Sequence, residues 1–118
     1  LMTSNYLGHP DHFAAGEAAL SAVFPAARDH LTFPELISEG YDTHKVKEVW
    51  IMMFGENANY WYPISKEDVE KSVKSLHSHV SQVKNPDEAS KWMKHRRSEL
   101  GETIGADYAE GFRRYKLS

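Results

Sequence analysis

Val49-Trp50-Ile51-Met52-Met53-Phe54 is the longest apolar run of the sequence, and its reading decides the fold class. Six residues suit a strand better than a helix, and the β-branched and aromatic content points the same way. A strand with no polar position has no side to turn to water. The run is therefore expected to be buried on both faces, as strands of a parallel sheet are. Its Trp and Met residues are expected to be core.

Downstream, Gly55-Glu56-Asn57-Ala58-Asn59 reads as a loop by composition. Asn59 to Ile64 follows as a short edge strand, because Pro63 has no N–H for a ladder. Its three adjacent aromatics, Tyr60, Trp61 and Tyr62, read either as core packing or as the lining of a sugar site. Ser65-Lys66-Glu67-Asp68 caps a helix that carries Val69, Val73, Leu76, Val80 and Val83 on one face. His77 and His79 fall on opposite flanks of that stripe and cannot share one ion. Asn85-Pro86-Asp87-Glu88 opens another helix, an N-cap followed by proline and then glutamate, which is expected to reach about Leu100 and stop at Gly101. Lys94-His95-Arg96-Arg97 on it reads as a solvated face or as a phosphate contact. The tail from Ala106 to Tyr115 fits a strand or a helix equally.

Upstream, Thr32-Phe33-Pro34-Glu35 has the form of a capping box opening a short helix that ends near Gly40. A longer helix is expected from about Asp11 to Ala27, with Phe13, Gly16, Leu20, Val23, Phe24 and Ala27 as its apolar stripe. Pro25 should kink or shorten its last turn. Residues Leu1 to Leu7 are read as the end of a strand. No repeat, low-complexity run or linker divides the 118 residues, so one domain, or most of one, is expected.

Composition narrows the function. A formal net charge of −3 argues against a general nucleic-acid binder, which needs a basic face. There is no cysteine, hence no disulfide and no thiolate metal site, which suits a reducing, cytoplasmic setting. No apolar run approaches the length of a membrane span. Seven histidines is a high count for this length, and directs attention to metal chemistry.

Three of the chemistry-bearing residues stand together in Gly8-His9-Pro10-Asp11-His12, where a loop turns into the first helix. Pro10 suits the first helical position, and Asp11 can satisfy free amides of the first turn. His9 and His12, three apart, share one side of that turn. Two readings stay open on spacing alone: a polar helix cap, or a metal and catalytic site.

Gly8-His9-Pro10-Asp11-His12 with Ala14-Ala15-Gly16 resembles the second signature of the LmbE-like (PIG-L) zinc-dependent de-N-acetylases. The resemblance continues through Phe24-Pro25-Ala26-Ala27-Arg28, Phe33-Pro34-Glu35-Leu36, His44 to Val49, His79-Val80-Ser81-Gln82 and Tyr108 to Arg113, nearly the whole chain from Ser4 onward. It implies an α/β fold, the C-terminal part of a Rossmann-like three-layer architecture with a mainly parallel sheet. It implies removal of acetyl groups from N-acetylglucosaminyl or related amides, with zinc as cofactor and an N-acetylated sugar or conjugate as substrate. Carried onto this sequence, His12 would be a zinc ligand. His9 would stabilise the oxyanion or protonate the leaving amine, and Asp11 would orient a neighbouring imidazole. His79 would pack or contact substrate. Tyr6 stands one position away from a tyrosine that some relatives carry, where this chain has Leu7.

The family's first signature, Ala-His-Pro-Asp-Asp-Glu, supplies two further zinc ligands and the base, and no such stretch occurs here. The resemblance thus implies residues 1–118 to be a single partial domain, inactive alone and completed by a missing N-terminal half or by self-association. The alternative is a non-catalytic remnant or assembly module that pairs through an open sheet edge.

Overall fold

The computed structural model describes residues 9–52 and 57–117. The expected strand end at Leu1–Leu7, Tyr6, Gly8 and the Met53–Glu56 part of the apolar run and its loop lie outside the described residues. The elements run α1 (Pro10–Ser21), a π-type turn (Ala22–Ala26), α2 (Pro34–Ser38), β1 (Glu48–Met52), β2 (Tyr60–Pro63), α3 (Lys66–His77), α4 (Pro86–Glu102) and β3 (Ala109–Lys116). They fall into two compact units, Leu1–Val49 with Lys116–Ser118, and Trp50–Tyr115.

In the first unit, α1 ends at Ser21 and not near Ala27. Phe24 leaves helical dihedrals (φ −154°, ψ 125°) just ahead of Pro25, as expected of a residue whose successor's ring crowds the helical conformation. Phe13, Gly16, Leu20 and Val23 form the half-buried side, while Phe24 is turned outward under the Arg28 guanidinium, 3.8 Å from its ring. The short helix α2 starts one residue later than a Thr32 capping box would place it. Phe33 is the N-cap, with no side-chain cap, because Pro34 occupies the first helical position and fixes the start there. The chain turns at Gly40 in the left-handed region (φ 95°). His44 N–H then donates to the Ala27 carbonyl at 2.7 Å, and Leu117 N–H to that of Lys47 at 2.8 Å.

The second unit is built on the sheet, and it overturns the expected parallel, Rossmann-like architecture. Among the described residues three strands form an antiparallel sheet in the order β1-β3-β2, and β2 pairs with β3 with Tyr60 opposite Phe112, Trp61 opposite Gly111, Tyr62 opposite Glu110 and Pro63 opposite Ala109. Connectivity explains the direction. A single crossover helix returns the chain to the same end of a sheet and gives parallel strands. Here two helices, α3 and α4, separate β2 from β3, so the chain re-enters from the opposite end. The apolar run also takes a different place. Among the described residues β1 lies at a sheet edge, and while Val49 and Ile51 are half-buried, Trp50 is 39% and Met52 60% exposed. An antiparallel sheet tolerates one wet face, and this one is wet at Trp50 and Met52. The Ala106–Tyr115 tail resolves as the central strand.

Local caps hold the two helices. Ser65 Oγ accepts from the Asp68 amide at 3.1 Å while Asp68 Oδ2 accepts from the Ser65 amide at 3.2 Å and its hydroxyl at 2.6 Å. Asn85 Oδ1 accepts from the Glu88 amide at 3.3 Å, with Pro86 in the first helical position. Two expectations for these helices fail. The helix α3 ends at His77, so Val80 falls beyond it and is 80% exposed, leaving Val69, Val73 and Leu76 as the packed stripe. Gly101 does not stop α4 but lies inside it, buried, where a Cβ would come within 2.4 Å of the Ala106 carbonyl oxygen. The turn itself is made by Gly105 at φ 69°. Val69, Val73 and Ala109 are the buried hydrophobic residues among those described.

Candidate metal and catalytic site

His9 has extended dihedrals (φ −68°, ψ 136°) and is the N-cap of α1, with Pro10 in the first helical position. Its carbonyl accepts from the His12 amide at 3.0 Å, which starts the helix. Its ring Nδ1 accepts from the Asp11 amide at 3.2 Å. The capping acceptor is thus the imidazole and not the Asp11 carboxylate, which instead lies 3.5 Å from Nδ1 with its side chain largely in water. The His12 ring sits beside that of His9, centroids 6.1 Å apart and planes inclined at 47°. His9, Asp11 and His12 are all exposed.

The cap has a chemical consequence. A neutral imidazole holds one proton, and an Nδ1 that accepts a hydrogen bond leaves that proton on Nε2. His9 in this state is an N–H donor through Nε2, without a lone pair for a metal. His12 is different: the residue is exposed, and its ring makes no hydrogen bond among the described residues.

A catalytic zinc takes three protein ligands. Among the described residues no three histidine, aspartate or glutamate side chains stand close enough to hold one ion. The donor set at the start of α1 does not make a catalytic zinc site on its own, and no reaction step through zinc follows from it.

No protein-family model matches this chain, and no curated protein matches it.

The other singled-out residues have structural partners. His77 Nε2 lies 2.6 Å from Ser90 Oγ and 3.1 Å from the Pro86 carbonyl, tying the end of α3 to the start of α4. Sequence reasoning gave this histidine no partner, since nothing local marks a contact thirteen residues away. His79 is exposed, and its carbonyl accepts from the Gln82 and Val83 amides in the turn after α3. The basic cluster on α4 is matched by carboxylates: Lys94 with Glu70 at 2.7 Å, His95 and Arg96 near Glu99 at 3.5 and 3.4 Å, and Arg97 with Glu110 at 2.6 Å. The Lys94 ammonium, by its hydrogen bond and then its charge, holds the Glu70 carboxyl below the usual range. In the same way the hydroxyl and amide of Ser65 lower that of Asp68.

Tyr60 and Tyr62 share a sheet face with Trp50 and Phe112, at centroid distances from Trp50 of 4.9, 6.3 and 5.4 Å. The Arg114 guanidinium lies against part of this group, 4.7 Å from Tyr60 and 5.4 Å from Trp50. An open polar cleft of about 460 Å³, lined by Lys66, Ser98, Glu102, Ala106, Asp107 and Tyr108, contains none of the three motif residues. Among the described residues no helix is long and apolar enough to cross a membrane.

Proposed function

We propose that the chain is part of a zinc-dependent hydrolase that removes acetyl groups from N-acetylglucosaminyl or related amides, working in the cytoplasm on a small N-acetylated sugar or conjugate. The reading rests on the resemblance of Gly8-His9-Pro10-Asp11-His12 to the second signature of the LmbE-like de-N-acetylases. The observation that carries it is the pair of neighbouring imidazoles in one turn, of which only His9 is held through Nδ1. His9, held through Nδ1, presents an Nε2 proton that suits donation to a developing oxyanion or a leaving amine. His12, beside it and accessible, suits a zinc ligand. Asp11 lies where its carboxylate would pair with His9 if that ring took up a second proton. Zinc, when bound, would polarise the acetyl carbonyl and activate water. Its remaining ligands and the base must come from outside the described residues.

The test is the gene sequence upstream of Leu1, followed by acetate release from N-acetylglucosamine conjugates by the whole gene product. An Ala-His-Pro-Asp-Asp-like signature together with zinc-dependent acetate release would support the proposal. A complete gene product without that signature, or one that binds no zinc and releases no acetate, would overturn it.

One observation favours a second reading, that of a non-catalytic assembly module. Among the described residues β1 and β2 are both sheet edges, and the Val49-Trp50-Ile51-Met52 part of β1 carries neither the proline nor the lysine that blunts such edges. Sedimentation of the whole gene product, with its zinc content and acetate release, separates the readings: a stable self-associated species that holds no zinc and releases no acetate favours the module.

A further inference from the structure

We draw no further inference here: the strongest candidate, the aromatic face of the sheet where Trp50, Tyr60, Tyr62 and Phe112 gather beside the Arg114 guanidinium, is an open apolar face, and nothing in the structure shows what covers it.

Discussion

Asn59 and Arg114 are bound to each other twice. The Asn59 side-chain amide donates to the Arg114 carbonyl at 3.2 Å, and the Arg114 backbone N–H donates to Asn59 Oδ1 at 2.7 Å. One side chain thus imitates the backbone of a paired strand, and with the Asn59 N–H bonded to the Phe112 carbonyl it prolongs the β2–β3 ladder past Tyr60. Replacing Asn59 by Ala removes both bonds and leaves two groups of the central strand to water. A loss of about 1–2 kcal/mol is expected. Asn59→Asp keeps the acceptor and loses the donor, so it should fall between wild type and Asn59→Ala in urea denaturation. Equal effects of the two variants would show that the pair is not formed as described.

Arg97 and Glu110 join α4 to the central strand through a largely buried ion pair, with side chains only 19% and 24% exposed. Removing either partner strands the other's charge in a poorly hydrated place, whereas removing both does not. Arg97→Ala and Glu110→Ala should each cost about 1–2 kcal/mol, and the double variant clearly less than their sum. A double-mutant cycle in urea checks this. Strict additivity would mean that the pair contributes nothing.

Two helical glycines should respond to Ala in opposite directions. Gly16 lies in α1 with nothing within 4 Å of an added Cβ, so Gly16→Ala should gain up to about 1 kcal/mol from helix propensity. At Gly101 the same methyl meets the Ala106 carbonyl oxygen at 2.4 Å and the Asp107 carbonyl carbon at 2.9 Å. Backbone must move there, and a net loss of about 2 kcal/mol is expected. Thermal melts of the two variants test the contrast.

Acid should weaken the second unit in a defined window. Asp68 and Glu70 titrate below their ordinary values of 3.8 and 4.5 because Ser65 and Lys94 hold the ionised forms. A carboxyl whose folded pKa is depressed adds stability that is complete above its unfolded pKa and is lost as pH falls through the folded one. The urea midpoint should therefore be flat above about pH 5 and decline from near 4.5 downward. Ser65→Ala should flatten the Asp68 part of that decline, and an unchanged profile would refute the assignment.

His9 and His12 are separable by substitution. His9→Ala removes the N-cap acceptor and should destabilise α1 by about 1 kcal/mol, with His9→Asn restoring most of it. His12→Ala leaves the cap in place and should be near neutral for folding. Under the proposed function, zinc bound by the whole gene product, measured by elemental analysis, should fall with His12→Ala and persist with His9→Asn. Zinc loss with His9→Asn alone would reverse the assignment.

The division between sequence and structure follows the range of the interactions. Ser65 with Asp68 and Asn85 with Glu88 were legible because cap and capped amide are three residues apart, and no distant group intervenes. The nearness of His9 to His12 was legible for the same reason. That the His9 ring, and not Asp11, does the capping was not, because both can accept the same kind of bond and only the backbone path selects one.

What the sequence determined by itself is local: where α3 and α4 begin, that Pro63 puts β2 at an edge, and that two imidazoles and a carboxylate meet in one turn. Strand direction was left to the tertiary structure. An apolar run such as Val49–Met52 carries no mark of its neighbour's polarity or of its place in a sheet. Direction is decided by how many helices lie between paired strands, and two of them here bring β3 back antiparallel, with Trp50 and Met52 facing water.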